Sequence, residues 1–173
     1  MTTNFIETKA AFTVSDAGEI EGTAWIFSQA DRTGDVILPA AFASAKTPLP
    51  ILASHDPTAT IGVWNSLHVI GDKLIVKGTL LLDSVEKARE TYALIKSGAM
   101  QGLSVGFRTL KSSRRIGGGR LISNLDLVEI SAVSVPAHPG ARITSAKSAK
   151  TASDVLKIAE AINRAASAHK LRK

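Results

Sequence analysis

The apolar residues of this chain come in strand-sized runs, each soon closed by glycine, proline or aspartate. Ala10 to Ser15 and Glu19 to Phe27 flank a turn at Asp16-Ala17-Gly18. Thr60 to Asn65, Ser66 to Ile70 and Lys73 to Leu82 follow, the last two joined through Gly71-Asp72. Leu103 to Leu110 and the long apolar region Leu121 to Val135 come later, before Pro136 and Pro139. Such runs bury their apolar faces by pairing with one another. Many short strands with tight turns predict a barrel or sandwich. The expected fold is therefore mainly β, with two or three helices. Pro39 opens a short one through Ala43, a position that suits proline. Ser84 to Ser97 carries Val85, Ala88, Tyr92 and Ile95 at helical spacing and ends at Gly98. Val155, Ile158, Ala159, Ile162 and Ala166 form the stripe of a last helix capped by Ser153.

The 173 residues suit one domain with a little left over. The charge marks where the surplus lies. Residues 1–141 hold thirteen basic and thirteen acidic side chains, whereas residues 142–173 hold eight basic and two acidic, so the whole net charge of +6 sits in the tail. Residues 145–153 are Ser, Ala, Lys and Thr only and read as a linker. The division expected is a domain over 1–144 and a basic linker and helix over 145–173. A neutral body argues against a general nucleic-acid-binding face, and aromatics at 5% offer no stacking platform.

Zero cysteines exclude disulfides, thiol nucleophiles and thiolate zinc sites. No metal-ligand spacing is present and no phosphate-binding loop, so neither metal nor cofactor is expected. No apolar stretch approaches the ~20 residues of a membrane span, and the amino terminus lacks a signal-peptide pattern. A cytoplasmic protein is the expectation.

Gly102-Leu103-Ser104-Val105-Gly106 formally matches G-x-S-x-G, the turn that exposes a serine nucleophile in α/β-hydrolases. The pattern also fits a strand whose glycines let another backbone approach closely, and the chain lacks the helix–strand alternation of the α/β-hydrolase fold. A nucleophilic serine needs a base and a group to orient it. Of four histidines, His169 lies in the tail, His68 reads as structural or surface, and His138 between two prolines reads as exposed. His55 ends an apolar strand before Asp56-Pro57, where sites are often built, although a structural histidine fits there too. Glu129 lies in a strand apolar on both faces, so its carboxylate needs a buried donor: an imidazole N–H or a structural arginine. Asp126, nearer the strand's start, reads as exposed.

Taken in order, these segments resemble the caudovirus prohead (capsid maturation) proteases of the HK97 type. The matching pieces are Gly22-Thr23-Ala24 with Asp31-Arg32-Thr33-Gly34-Asp35 and Pro39-Ala40-Ala41-Phe42; Ser54-His55-Asp56-Pro57 with Ile61-Gly62; Ile95-Lys96-Ser97-Gly98 leading to Gly102-Leu103-Ser104-Val105-Gly106-Phe107; and Asp126-Leu127-Val128-Glu129-Ile130-Ser131 running into Pro136-Ala137-His138-Pro139. The resemblance implies a β-barrel like the herpesvirus assemblins, surrounded by a few α-helices. It implies a serine endopeptidase that cleaves scaffold or capsid-protein extensions within the procapsid, in the host cytoplasm. Its partners would be the major capsid protein and its scaffold extension, with a homodimer left open. His55 then corresponds to the general base and Ser104 to the nucleophile. Glu129 occupies the segment of the third member, which is a histidine in the assemblins, and Arg142 is a candidate to help hold the oxyanion. Ala40 and His138 depart from the family's usual glycine and asparagine. The basic tail would tether the enzyme to an acidic scaffold and be clipped by self-cleavage. Two rivals stay open from sequence: a non-catalytic capsid-assembly or scaffold-binding module, and a DNA-associated virion protein acting through its tail.

Overall fold

A computed structural model describes residues 18–146. Eight strands form one sheet: β1 (Glu19–Ile26), β2 (Val36–Ile37), β3 (Leu49–Ala53), β4 (Thr60–Ile70), β5 (Lys73–Leu80), β6 (Gly102–Arg114), β7 (Arg120–Val133) and β8 (Arg142–Ala146). Seven close into a barrel in the order β7-β3-β4-β5-β1-β8-β6 and back to β7, while β2 adds in parallel to β7 at Leu121 and Ile122. Closure removes the unpaired edges that an open sheet would expose. The interior is filled by Ile20, Ile51, Ile61, Leu74, Leu103, Ile122, Leu125 and Ile130, all fully or almost fully buried. Trp64 joins them, and its indole N–H donates to the Ile130 carbonyl at 2.9 Å, which ties β4 to β7 across the core.

One α-helix, α1 (Glu86–Lys96), and a 3-10 turn at Pro39–Phe42 complete the described residues. Among the described residues one α-helix flanks the barrel; the last expected helix lies outside them. In α1, Ala88, Thr91 and Ile95 are buried at three- and four-residue spacing, against β4 and β8. Eleven residues make a marginal helix alone, so this buried face holds it, with burial of Ile95 contributing about 2 kcal/mol.

Several expectations change. Residues 60–70 are one strand, not two; the expected break falls at a bulge, where Trp64 pairs with Gly78 and Ser66 with Lys77. The strand expected over Leu103 to Leu110 runs on, because β6 and β7 pair out to Arg114 and Arg120, and the loop between them is short. Of its glycines, Gly119 packs on Gly34, whose carbonyl accepts from the Arg115 guanidinium, whereas Gly117 and Gly118 stand in open space. Ser145 and Ala146, read as linker, belong to β8, where Ala146 pairs with Ile20 and is buried. The rest of the basic segment and the first expected strand, Ala10 to Ser15, lie outside the described residues. His138 is not exposed. It is 1% accessible and packs on Trp25 with ring centroids 4.6 Å apart. Its Nδ1 accepts the Gly140 N–H at 3.0 Å, and burial pushes its pKa down. The flanking prolines shape a turn that folds inward, so they gave no guide to exposure.

Candidate active site

The site is built on the outer face of β6 and β7. Their antiparallel register sets Ser104 opposite Ser131 and Gly106 opposite Glu129, then shifts so that Phe107 faces Leu127. Val128 is the extra residue of a β-bulge, and a bulge switches which face the following side chains occupy. Leu125 and Leu127 therefore share the core face with Ile130 and Ala132, while Glu129 and Ser131 turn outward beside Ser104. The burial follows: Val128 is 45% exposed, although apolar, and Glu129 is 5% exposed, although charged.

The two glycines around Ser104 make room. A Cβ at Gly106 would lie 2.7 Å from the Glu129 carboxyl carbon and closer still to Oε1. A Cβ at Gly102 would lie 2.8 Å from the Pro136 ring and from the Val133 carbonyl. Pro136 is itself held by Arg32, whose Nε donates to its carbonyl at 3.1 Å. Ser104 thus stands inside a strand, not on the strand-to-helix elbow that G-x-S-x-G marks in α/β-hydrolases. Backbone approaches closely at Gly102, through the Val133 carbonyl, whereas Gly106 makes room for the Glu129 side chain.

His55 arrives from β3. This strand runs parallel to β7, with Leu52 beside Ser131 and Ala53 beside Ala132, so its end delivers the next residues to the Glu129 face. Ser54 and His55 then take φ of 55° and 62°. Two successive non-glycine residues in the left-handed region cost of order 1–3 kcal/mol each, and such strain persists only where neighbours enforce it. Here β7 enforces it: the Ser54 N–H donates to the Ala132 carbonyl at 2.9 Å and the His55 N–H to Ser131 Oγ at 3.1 Å. Asp56 closes the loop by accepting from the Thr58 N–H at 2.8 Å and the Thr58 hydroxyl at 2.6 Å, an Asx turn.

The imidazole meets the carboxylate. His55 Nδ1–H donates to Glu129 Oε1 at 2.6 Å, and the Ser131 hydroxyl donates to Glu129 Oε2 at 2.6 Å. Glu129 so has the buried donor its position demanded, an imidazole and not an arginine. The hydrogen bond to Glu129 raises the His55 pKa above its ordinary 6.5; burial opposes this and the carboxylate's charge adds to it. With the proton on Nδ1, Nε2 carries the free lone pair, and the side chain is 45% exposed. Ser104 is 5% exposed.

The other sequence candidates take no part in the His55–Glu129–Ser131 bonds. Arg142 pairs in register with Gly102, two residues from Ser104, and its guanidinium donates to the Ala141 carbonyl at 3.3 Å. His68 is exposed on β4, and Asp126 is exposed, 4.0 Å from Arg108. No group of acidic and histidine side chains suited to a metal occurs among the described residues. Sequence reasoning missed Ser131; its signal was spacing, since it lies two residues from Glu129 on the same strand. Asp31-Arg32-Thr33-Gly34-Asp35 is a brace: Asp35 accepts from the Arg120 N–H at 2.8 Å and from its guanidinium at 3.0 Å.

Ser104 lies across the β6–β7 ladder from Ser131, whose hydroxyl joins the bonded His55–Glu129 pair. The family described as Caudovirus prohead serine protease matches residues 5–155. The chain belongs to this family. It is similar to the prohead protease of Enterobacteria phage HK97, 34% identical over 155 residues, spanning 85% of this chain and 68% of that protein. It is also similar to the capsid polyprotein of Pseudomonas phage PAJU2, 36% identical over 130 residues, covering 68% of this chain and 18% of that protein. The fold is shared with the bacteriophage T4 capsid assembly protease gp21 at a TM-score of 0.54 and 18% identity, over 68% of this chain and 82% of that one. It is shared too with KSHV protease, solved in complex with a hexapeptide phosphonate inhibitor, at a TM-score of 0.51 and 14% identity, over 72% of this chain and 63% of that one. As a member of that family it is a serine peptidase of capsid maturation, with an assemblin-like barrel.

Proposed function

We propose that the enzyme cleaves capsid-protein or scaffold extensions inside the procapsid with a Ser104-His55-Glu129 triad. The observation that carries this is the buried Glu129 carboxylate 2.6 Å from His55 Nδ1, on the strand face that stands opposite Ser104. His55 Nε2 takes the Ser104 hydroxyl proton as Oγ attacks the scissile carbonyl carbon. The tetrahedral oxyanion is stabilised by backbone N–H groups, with Arg142 or a water it holds as a further donor. The imidazolium then protonates the leaving amine, the C–N bond breaks, and an acyl-enzyme remains. Water, deprotonated by His55, hydrolyses that ester and restores the serine. Glu129 keeps Nδ1 protonated throughout and steadies the imidazolium.

Ser131 is the competing hydroxyl. It is fully buried and already donates to Glu129, so Ser104 is the better nucleophile on both accessibility and hydrogen bonding. The capsid protein is the proposed substrate because a relative named a capsid polyprotein contains a matching segment. The basic segment beyond β8, residues 147–173, is the proposed tether, removed by self-cleavage; the excess positive charge of residues 142–173 supports it.

Labelling with a fluorophosphonate probe tests the reading. Wild type should label on one serine, and both Ser104→Ala and His55→Ala should abolish it. Processing of co-expressed capsid protein should fall about 10⁴-fold or more in the same variants. A Ser104→Ala protein that still labels and cleaves sinks the proposal.

A further inference from the structure

We infer that Ser131 is a positioning residue that sets both the carboxylate and the imidazole of the catalytic apparatus. The inference rests on the triad reading above and deepens it. One hydroxyl oxygen makes two bonds in opposite senses: it donates to Glu129 Oε2 at 2.6 Å and accepts the His55 main-chain N–H at 3.1 Å. The first bond fixes the rotation of the Glu129 carboxylate, so that Oε1 points at Nδ1. The second fixes the backbone from which the imidazole hangs, at a residue whose φ of 62° a free chain seldom adopts. The same side chain stands directly opposite Ser104 in the β6–β7 register, where facing Cβ atoms lie about 5 Å apart.

A serine that merely filled space here would need neither bond. Ser131 is 0% exposed, so its oxygen is shut off from bulk solvent. Removing it leaves the Glu129 Oε2 and the His55 N–H without their partners, and both are groups whose placement sets the imidazole. The charged surroundings are simple. Glu129 from β7 is the charged group acting on His55, while the neighbouring Asp56 commits its carboxylate to Thr58. A change in the protonation of His55 in a Ser131 variant therefore reports on the Glu129 bond.

The test is the rate of fluorophosphonate inactivation against pH in the full chain, for wild type, Ser131→Ala, Ser131→Cys and Ser131→Thr. Alanine and cysteine should lower the limiting rate by about 10- to 100-fold, the range expected when a supporting group lets a reacting geometry slip by up to ~1 Å. They should also move the acid limb downward, toward an ordinary imidazole. Threonine keeps the hydroxyl and should restore both. Cysteine keeps the size of the side chain but offers only a weak donor, so it carries the test if Ser131→Ala melts below the assay temperature. In parallel, the far-downfield Nδ1–H proton resonance of His55, read in a Ser104→Ala background, should be lost or move upfield when Ser131→Ala is added. Wild-type rates and an unmoved or raised acid limb in both Ala and Cys variants would overturn the inference while leaving Ser104 labelling intact. Labelling that persists in Ser104→Ala would instead overturn the triad reading, whatever the Ser131 variants do.

Discussion

Replacing Gly106 with alanine should disable the enzyme without touching any reacting atom. The Cβ would sit 2.7 Å from the Glu129 carboxyl carbon and 2.9 Å from its Cγ, with Oε1 nearer still. To regain ordinary contact the carboxylate must retreat by about 1 Å, a displacement that can cost 10²-fold in rate. The bond to His55 Nδ1 is only 2.6 Å long, so the retreat breaks it or rotates the imidazole. Full loss of an orienting carboxylate costs about 10⁴-fold. The expected fall in kcat/KM is therefore about 10²- to 10⁴-fold, or roughly 3–5 kcal/mol of transition-state stabilisation. The assay is the fluorophosphonate inactivation rate, run on Gly106→Ala, Glu129→Ala and the double variant. If Gly106 acts through Glu129, the alanine at 106 adds nothing once the carboxylate is gone, and the cycle is strongly non-additive. Additive losses, or a Gly106→Ala enzyme at wild-type rate, would refute the argument.

Three further outcomes follow from the geometry. Glu129→Gln should lower kcat/KM by about 10⁴-fold, because an amide can offer Nδ1 a donor and favour the wrong tautomer. The residual activity should keep an acid limb displaced downward toward 6.5, since neutral His55 is the active form and the bond that raised its pKa is weakened; a pH–rate profile checks both. Asp35→Asn should destabilise the fold by about 1–3 kcal/mol at neutral pH by weakening the Arg120 pairing. The Arg120 hydrogen bond holds the Asp35 carboxyl below its ordinary 3.8, so this stability is present above that value and lost as pH falls through the folded pKa. Denaturant melts of both proteins should accordingly converge in acid. His138 shares this direction, although its favoured form is neutral. Its pKa is depressed, so the fold prefers the neutral ring, and stability should decline as pH drops below about 6.5. His138→Leu should reduce that decline in thermal melts compared at pH 5 and pH 8, and an unchanged slope would contradict the assignment.

Much of the local structure was legible in the residue pattern alone. Alternating apolar runs and turn residues specified a mainly β protein, and three- and four-residue spacing specified the helix now seen as Glu86–Lys96. One deduction about Glu129 was also available locally: a carboxylate in a doubly apolar strand must find a buried donor. Tertiary structure alone decided which donor. The parallel register of β3 with β7 brings the left-handed Ser54-His55 pair to Glu129, and no local periodicity encodes a pairing between segments so far apart in the chain. The bulge at Val128 decided which face Glu129 and Ser131 occupy, because one extra residue reverses every later side chain. His138 was misjudged for the same reason: its burial against Trp25 depends on a partner more than a hundred residues away. Pattern fixes what a segment prefers; long-range pairing fixes what it meets, and the chemistry here lies in the meeting.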